Sequence, residues 1–117
     1  MKKFTLAAAL VFTLSAGGAI AQTPASPSID QGDGFYGACR QTENLDACAM
    51  YLAGYSNGVL VQTLIDRQKP RYCLPPNLTR KDQLRVVLGY MKGHLEQMLD
   101  PTGAIIYKAL LATFPCK

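Results

Sequence analysis

Apolar residues recur along this chain with the spacing of helices. Between Thr79 and Asp100 they fall at positions i, i+3, i+4, i+7 and i+11, on one face of an amphipathic helix; they are Leu84, Val87, Leu88, Met91 and Leu95. A longer stretch, Cys48 to Asp66, is apolar over most of a helical circumference. No segment combines sustained apolar–polar alternation with hairpin turns, so the pattern predicts an all-α fold.

Local signals set the limits of the first two predicted helices. A short apolar segment, residues 34–40, is long enough for two helical turns. Asp46 or Asn44 can cap the central helix, because a side-chain oxygen there accepts a free backbone N–H of the first turn. The central helix is expected to end near Arg67, since the residue before Pro70 avoids the helical conformation.

Two further helices are predicted after a proline-containing loop. Thr79, with Asp82 three residues later, is close to a capping box and begins the third helix. Asp100-Pro101 is a second start signal, with aspartate as the cap and proline at the first helical position. Residues 104–114 carry one charge, Lys108, so this helix is expected to be buried on more than one side, by the bundle or by a second subunit. The prediction is a small bundle of about four helices with up-down topology.

The N-terminus has the organisation of a secretory signal peptide over residues 1–21. A basic start, Met1–Lys3, precedes an uncharged apolar run, Phe4–Ala16, and a small-residue cleavage site ends the segment. The apolar run is shorter than the roughly 20 residues of a membrane span. Residues 22–33 are polar and proline-containing and are predicted to be a flexible leader. The folded domain is therefore expected over residues 34–117.

Length and charge restrict what the mature chain does. Removing 21 residues from 117 leaves 96, which is one domain by length. Two lysines leave with the signal peptide, so the formal net charge falls from +4 to +2. This mild charge argues against a nucleic-acid partner. No later segment is long and apolar enough to span a bilayer, so a periplasmic product without a membrane span is expected.

All four cysteines lie in the mature part of the chain. An even number of cysteines in a small exported protein predicts disulfides. A zinc site is disfavoured because no Cys-x-x-Cys pair occurs. A catalytic thiol is disfavoured because the only histidine in the chain is His94.

The length of the central helix selects one of the three possible pairings. A helix from Cys48 to Asp66 is about 27 Å long, and the Cα atoms of disulfide partners lie within about 7 Å. Cys73 follows the far end of this helix, so Cys48 does not easily reach it. Antiparallel neighbours bring the end of the chain back to that far end. The expected pairs are therefore Cys39–Cys48 and Cys73–Cys116.

No catalytic constellation is present in the sequence. It contains no paired carboxylates beyond those of caps and exposed faces, no Gly-x-Ser-x-Gly and no phosphate loop, so neither an enzyme nor a bound cofactor or metal is expected. His94 is interpreted as a surface residue or as a partner of a helix C-terminus. Gly54 and Gly58 allow a neighbouring helix to approach closely, and packing within the core is favoured over helix pairing in a membrane.

Several short motifs occur together at a defined spacing. They are Cys48-x6-Tyr55-x2-Gly58-Val59, Cys73-Leu74-Pro75, Thr79-x3-Gln83-Leu84, Val86-Val87-x2-Tyr90, Glu96, Ala109-Leu110 and Phe114-Pro115-Cys116. With these motifs behind a signal peptide, the chain resembles the Rap/Tai family of type VI secretion immunity proteins over roughly residues 35–116. The family often has His-Pro-Glu where this chain has His94-Leu95-Glu96. Without that proline, the third helix is expected to continue further toward Asp100-Pro101.

The resemblance implies a periplasmic, helical, disulfide-bonded protein that is often a homodimer. Such proteins bind a secreted cell-wall effector, typically a peptidoglycan amidase, and cover its active-site cleft with a loop or a helix face. From the residues themselves, we expect the effector-facing surface to be the loop between the last two helices. This loop projects polar and charged groups from a rigid base; the residues are His94, Glu96, Gln97 and Asp100.

Two other functions compete with effector binding. A small periplasmic helical chaperone or stress protein is the alternative. Such a protein should expose apolar surface on acidification, and the nearly continuous apolar surface of the last helix permits this. A small hydrolase is disfavoured by the missing catalytic groups. Rescue of cells from a periplasmic amidase separates immunity from a chaperone activity.

Overall fold

The computed structural model describes Gly18 and residues 28–117, and within them the protein is all-α. Four α-helices are present among the described residues: α1 (Gly32–Cys39), α2 (Leu45–Ile65), α3 (Arg80–Gly93) and α4 (Thr102–Thr113). Short 3₁₀ turns occupy Thr42–Asn44 and Leu95–Gln97. This confirms the predicted fold class. Apart from Gly18, the predicted signal peptide and leader residues 22–27 lie outside the described residues.

Helix α3 begins at the predicted cap. The Thr79 hydroxyl accepts a hydrogen bond from the backbone N–H of Asp82 at 3.1 Å, which satisfies one of the free donors of the first turn. The Thr79 hydroxyl and then the Arg85 guanidinium stabilise the Asp82 carboxylate and hold its pKa below the usual range. A threonine and an aspartate three residues apart therefore fix this boundary locally.

Two other predicted boundaries are wrong. Helix α3 ends at Gly93, so having Leu95 in place of the family's proline does not make the helix longer. Helix α4 begins at Thr102, with Pro101 in an extended conformation at φ −55° and ψ 133°. Asp100 does not cap α4, because its carboxylate forms an ion pair with Lys108 at 3.1 Å.

The core lies where all four helices meet. Helix α4 contributes most to it, and its apolar residues Ile105, Ile106 and Leu110 are at most 1% exposed. The other large buried side chains come from each remaining helix; they are Phe35, Leu52, Leu84, Val87 and Met91. The helices of one chain therefore cover α4, and a second subunit is not needed to bury it.

Both predicted disulfides are confirmed. Cys39 and Cys48 have Cα atoms 5.8 Å apart, and Cys73 and Cys116 have Cα atoms 5.0 Å apart. The first bridge is buried and joins α1 to the start of α2. The second lies nearer the surface, where the Cys73 N–H also donates to the Phe114 carbonyl at 2.8 Å.

The second half of α2 leaves the bundle. No residue of α2 beyond Leu52 is fully buried, and Leu64 and Ile65 near its end are 69% and 68% exposed. The expectation that Gly54 and Gly58 pack in the core is wrong, because no described atom of another element lies within 4 Å of a Cβ built at either residue. Within the described residues, none of the helices has the length and apolar character to cross a membrane.

The residues before α1 are attached to the start of α4. Helix α1 starts at Gly32 and so includes the last two residues of the segment predicted as a leader. The Thr102 hydroxyl donates to the Ile29 carbonyl at 2.6 Å, and the Thr102 N–H donates to the Asp30 carbonyl at 2.8 Å. These bonds fix the N-terminal segment against the start of α4.

Candidate functional site

The predicted effector-facing residues all lie in one short connection, which we call the α3–α4 loop (residues 94–101). His94 follows the last residue of α3, and Glu96 and Gln97 lie in the 3₁₀ turn. Asp100 comes just before the extended Pro101. The structure thus brings the four residues into one loop, but it gives them different environments.

His94 is held by Tyr90, one helical turn earlier. The His94 Nδ1 atom lies 2.8 Å from the Tyr90 carbonyl oxygen, and the two rings stack with centroids 3.9 Å apart. The ring hydrogen bond satisfies one of the free carbonyls at the end of α3, and the stacking fixes the orientation of the imidazole. His94 therefore matches the interpretation of a helix C-terminal partner, and its main contribution is to the shape of the loop.

Gln97 and Asp100 are half-buried and engaged within the chain. The Gln97 amide nitrogen donates to the Glu96 carboxylate at 3.3 Å, while the Gln97 amide oxygen is buried without a hydrogen-bond partner among the described residues. Asp100 pairs with Lys108 on α4. Of the four expected contact residues, Glu96 is the one classed as exposed.

Two leucines that sequence reasoning missed project most from this loop. Leu95 is 66% exposed and Leu99 is 74% exposed. The helical pattern assigned Leu95 to the buried face of α3, but α3 ends two residues earlier and the chain changes direction. Gly93, at the end of the periodic segment, is a helix stop signal that could have located this break.

Backbone hydrogen bonds make the α3–α4 loop rigid. Inside the loop, Gln97 N–H donates to the His94 carbonyl at 3.0 Å and Asp100 N–H to the Gln97 carbonyl at 2.9 Å. From outside, Asp33 N–H donates to the Met98 carbonyl at 2.8 Å. Gly32 fits closely here, because a Cβ at this position would lie 2.9 Å from the Met98 carbonyl oxygen. The loop is consequently ordered before any partner arrives.

The arrangement suits binding rather than chemistry. Two exposed apolar side chains flank the exposed carboxylate of Glu96 on a fixed backbone. The described residues contain no group of three or more His, Cys, Asp or Glu side chains able to hold a metal ion. Apolar anchors with a polar rim are the usual composition of a protein–protein contact.

A family model described as Rap1a immunity proteins matches residues 31–116, which is most of the chain. No curated protein and no solved structure matches the sequence.

Proposed function

We propose that this chain, which belongs to the Rap1a immunity protein family, protects a cell by binding and blocking a type VI secretion effector. The observation that carries the proposal is the family match over residues 31–116. The rigid α3–α4 loop with its exposed leucines gives the chain a surface suited to that role. Inhibition would be steric, because a fixed loop that fills a cleft excludes substrate.

The effector we propose is a peptidoglycan amidase, met in the periplasm. The basic and apolar pattern of residues 1–21 supports export. Two disulfides are consistent with this location, since such bridges form and persist in oxidising compartments. An inhibitor in the periplasm meets a cell-wall enzyme where that enzyme acts.

We propose that Leu95 and Leu99 anchor the complex and that Glu96 contributes at its rim. Burying one exposed leucine contributes about 1.5–3 kcal/mol, and a loop that is already ordered loses little conformational entropy on binding. His94, Gln97 and Asp100 remain proposed contact residues, and their bonds to Tyr90, Glu96 and Lys108 indicate that they mainly hold the loop in place.

Rescue from lysis tests this proposal. Candidate amidase effectors are expressed in the periplasm with or without the protein, and lysis and complex formation are measured. The unaltered chain should prevent lysis and form a tight complex. Leu95→Glu and Leu99→Glu should each weaken binding about tenfold or more, because a buried unpaired carboxylate is costly. Ala112→Glu, at an exposed position on α4, is the matched control and should bind normally.

The outcome of the same assay also tests the alternative. Binding that is unaffected by both leucine variants would reject the α3–α4 loop as the contact surface. If no amidase is blocked while acid-induced aggregation of unrelated proteins is suppressed, the chain is a chaperone and the immunity proposal fails.

We further propose that the chain forms a homodimer through the outer face of α2. This face is defined by Met50, Gly54, Gly58, Val61 and Ile65; none of the five is charged, and the Arg80 guanidinium lies 3.1 Å from the Met50 sulfur at one end of the face. Met50 is 60% exposed and Val61 is 53% exposed, and the two glycines have open space above them. An uncharged apolar face is self-complementary across a two-fold axis, and glycines let two helices approach closely.

Sedimentation equilibrium tests the dimer. The unaltered protein should sediment as a dimer, and Val61→Glu with Ile65→Glu should give a folded monomer. A dimer that persists in this double variant would exclude the outer face of α2 as its interface. Ala112→Glu again serves as the control and should remain dimeric.

A further inference from the structure

A groove separates the second half of α2 from the segment that follows it. Its volume is about 680 Å³, within the range of about 300–1,000 Å³ typical of binding pockets. One wall is the face of α2 with Ser56, Val59 and Thr63, and the other is the chain from Gln68 to Leu74. This groove lies away from the α3–α4 loop and is not used in the function proposed above.

Two tyrosines line the inner part of the groove. Tyr72 is 9% exposed, and its ring meets the ring of Tyr107 edge-on with centroids 5.9 Å apart. Together with Val59 and Leu74 they provide a largely apolar lining. The groove therefore favours an apolar side chain over a fully polar ligand.

The rim of the groove is positively charged. Lys69 and Arg71 both line it, both are exposed, and neither forms an ion pair among the described residues. Arg67 adds a third cation close by. The opposing charges are Asp66, whose carboxylate accepts a hydrogen bond from the Gln62 amide at 2.9 Å, and the negative end of the α2 dipole. The cations outnumber the carboxylates, so the rim favours an anionic partner.

The groove is built before binding. Gln68 N–H donates to the Thr63 carbonyl at 3.0 Å and Arg67 N–H to the Leu64 carbonyl at 3.3 Å, which is the Schellman pattern. This ending turns the chain back and places Arg67 at φ 53°, a conformation that glycine normally occupies. At its other end the segment is fixed by the Cys73–Cys116 disulfide. Little entropy is lost in ordering such a groove around a ligand.

We propose that this groove binds an acidic segment of a partner protein, with one bulky apolar side chain seated between carboxylates. The apolar side chain would pack against Val59, Leu74 and Tyr107, and the carboxylates would pair with Lys69 and Arg71. A second copy of the chain does not fit, because a two-fold contact here would place like charges together. The outer face of α2 stays free, since Val61 and Thr63 point about 200° apart on a helix.

A peptide titration followed by NMR tests the proposal. The probe is the capped peptide Gly-Glu-Asp-Leu-Asp-Glu-Gly, added to the ¹⁵N-labelled, disulfide-bonded protein at low salt. Amide shifts should concentrate at Val59, the 68–74 segment and Tyr107. Affinity should fall several-fold between about 20 mM and about 200 mM salt, since exposed charge pairs are screened.

Charge-reversal variants locate the binding site. Lys69→Glu with Arg71→Glu should weaken binding about tenfold or more. Arg40→Glu with Lys92→Glu, both exposed and both outside the groove lining, is the matched control and should stay within about twofold. Replacing the central leucine of the peptide by serine, or its acids by lysines, should abolish binding.

Three results would overturn the proposal. They are no shift at millimolar peptide, unchanged affinity in the Lys69–Arg71 variant, and tighter binding of an eight-residue thymidine oligonucleotide than of the peptide. The last result would assign the rim to nucleic acid instead. None of these measurements involves an effector, so they are independent of the immunity proposal.

Discussion

Both halves of α2 carry apolar side chains, but only the first half buries them. In the first half, Cys48, Ala49 and Leu52 are at most 8% exposed and face the other helices. In the second half, Leu60, Val61, Leu64 and Ile65 are all more than 50% exposed. Both halves are equally continuous helix, so helix formation does not depend on burial along its whole length.

The difference shows that an apolar stretch of sequence predicts burial but does not predict which helix or partner buries it. The other helices of the chain cover the first half of α2. The second half extends beyond them; it contributes Gly58, Val61 and Ile65 to the outer face of α2 and forms one wall of a groove. Exposed apolar patches of this kind mark interaction surfaces in soluble proteins, and both proposals about partners beyond the α3–α4 loop depend on this half.

The largest expected effect compares one leucine from each half. Leu52→Ala removes a side chain with no exposed surface and should cost about 2–5 kcal/mol of unfolding free energy. Leu64→Ala, at 69% exposure, should change the unfolding free energy of the monomer by less than about 0.5 kcal/mol. Urea unfolding monitored by circular dichroism measures both values. Equal losses in dilute monomer would mean that the second half is covered after all.

The two disulfides extend the same comparison. On a loop-entropy basis, replacing Cys73 and Cys116 by alanine should cost about 4 kcal/mol, and replacing Cys39 and Cys48 about 2.7 kcal/mol. In the intact protein, Cys73–Cys116 should be reduced first by dithiothreitol, because Cys73 is exposed while Cys39 is fully buried. Timed alkylation with mass spectrometry gives the order. Reduction of Cys39–Cys48 first would contradict the burial of that bridge.

Replacing Gly32 and Gly58 by alanine should change the free energy of unfolding in opposite directions. Gly32→Ala places a Cβ against Ile105 and the Met98 carbonyl and should cost about 1–3 kcal/mol through overpacking. Gly58→Ala meets open space in an exposed helix and should stabilise the monomer by up to about 1 kcal/mol. If the outer face of α2 forms the dimer, the same Gly58→Ala change should weaken association. Thermal unfolding measures the stability of the monomer, and sedimentation measures its association. If Gly58→Ala stabilises both the monomer and the dimer, the two α2 helices do not pack closely at Gly58.

The smallest effect is a loss of stability at alkaline pH. Burial raises the pKa of Tyr55, on α2, and of Tyr72, which lines the groove. A raised pKa means that the folded state keeps the phenol proton more tightly than the unfolded state, so this stabilisation is complete below about pH 10 and is lost above it. Urea midpoints measured between pH 8 and pH 11 should fall at the alkaline end. Tyr55→Phe should make the decline shallower, and an unchanged decline would contradict this origin.

Local chemistry predicted those features that depend on neighbours in sequence. The Thr79 cap needs only a hydroxyl and the N–H three residues later, and it was confirmed. The disulfide pairs followed from the length of one helix. Leu95 and the Gly54–Gly58 pair were misassigned, because periodicity states which residues share a face and not which face meets another element.

By itself, the sequence determined an all-α, disulfide-linked domain, because capping and hydrophobic period are short-range properties of the chain and the length of one helix limits the cysteine pairing. The immunity function was implied by the resemblance of its motifs to a known family. Only the tertiary structure decided that α4 is covered by its own chain, that the leucines of the α3–α4 loop point outward, and that the second half of α2 is left open. These outcomes depend on where separate helices end relative to one another, because those positions decide which apolar side chains another helix covers.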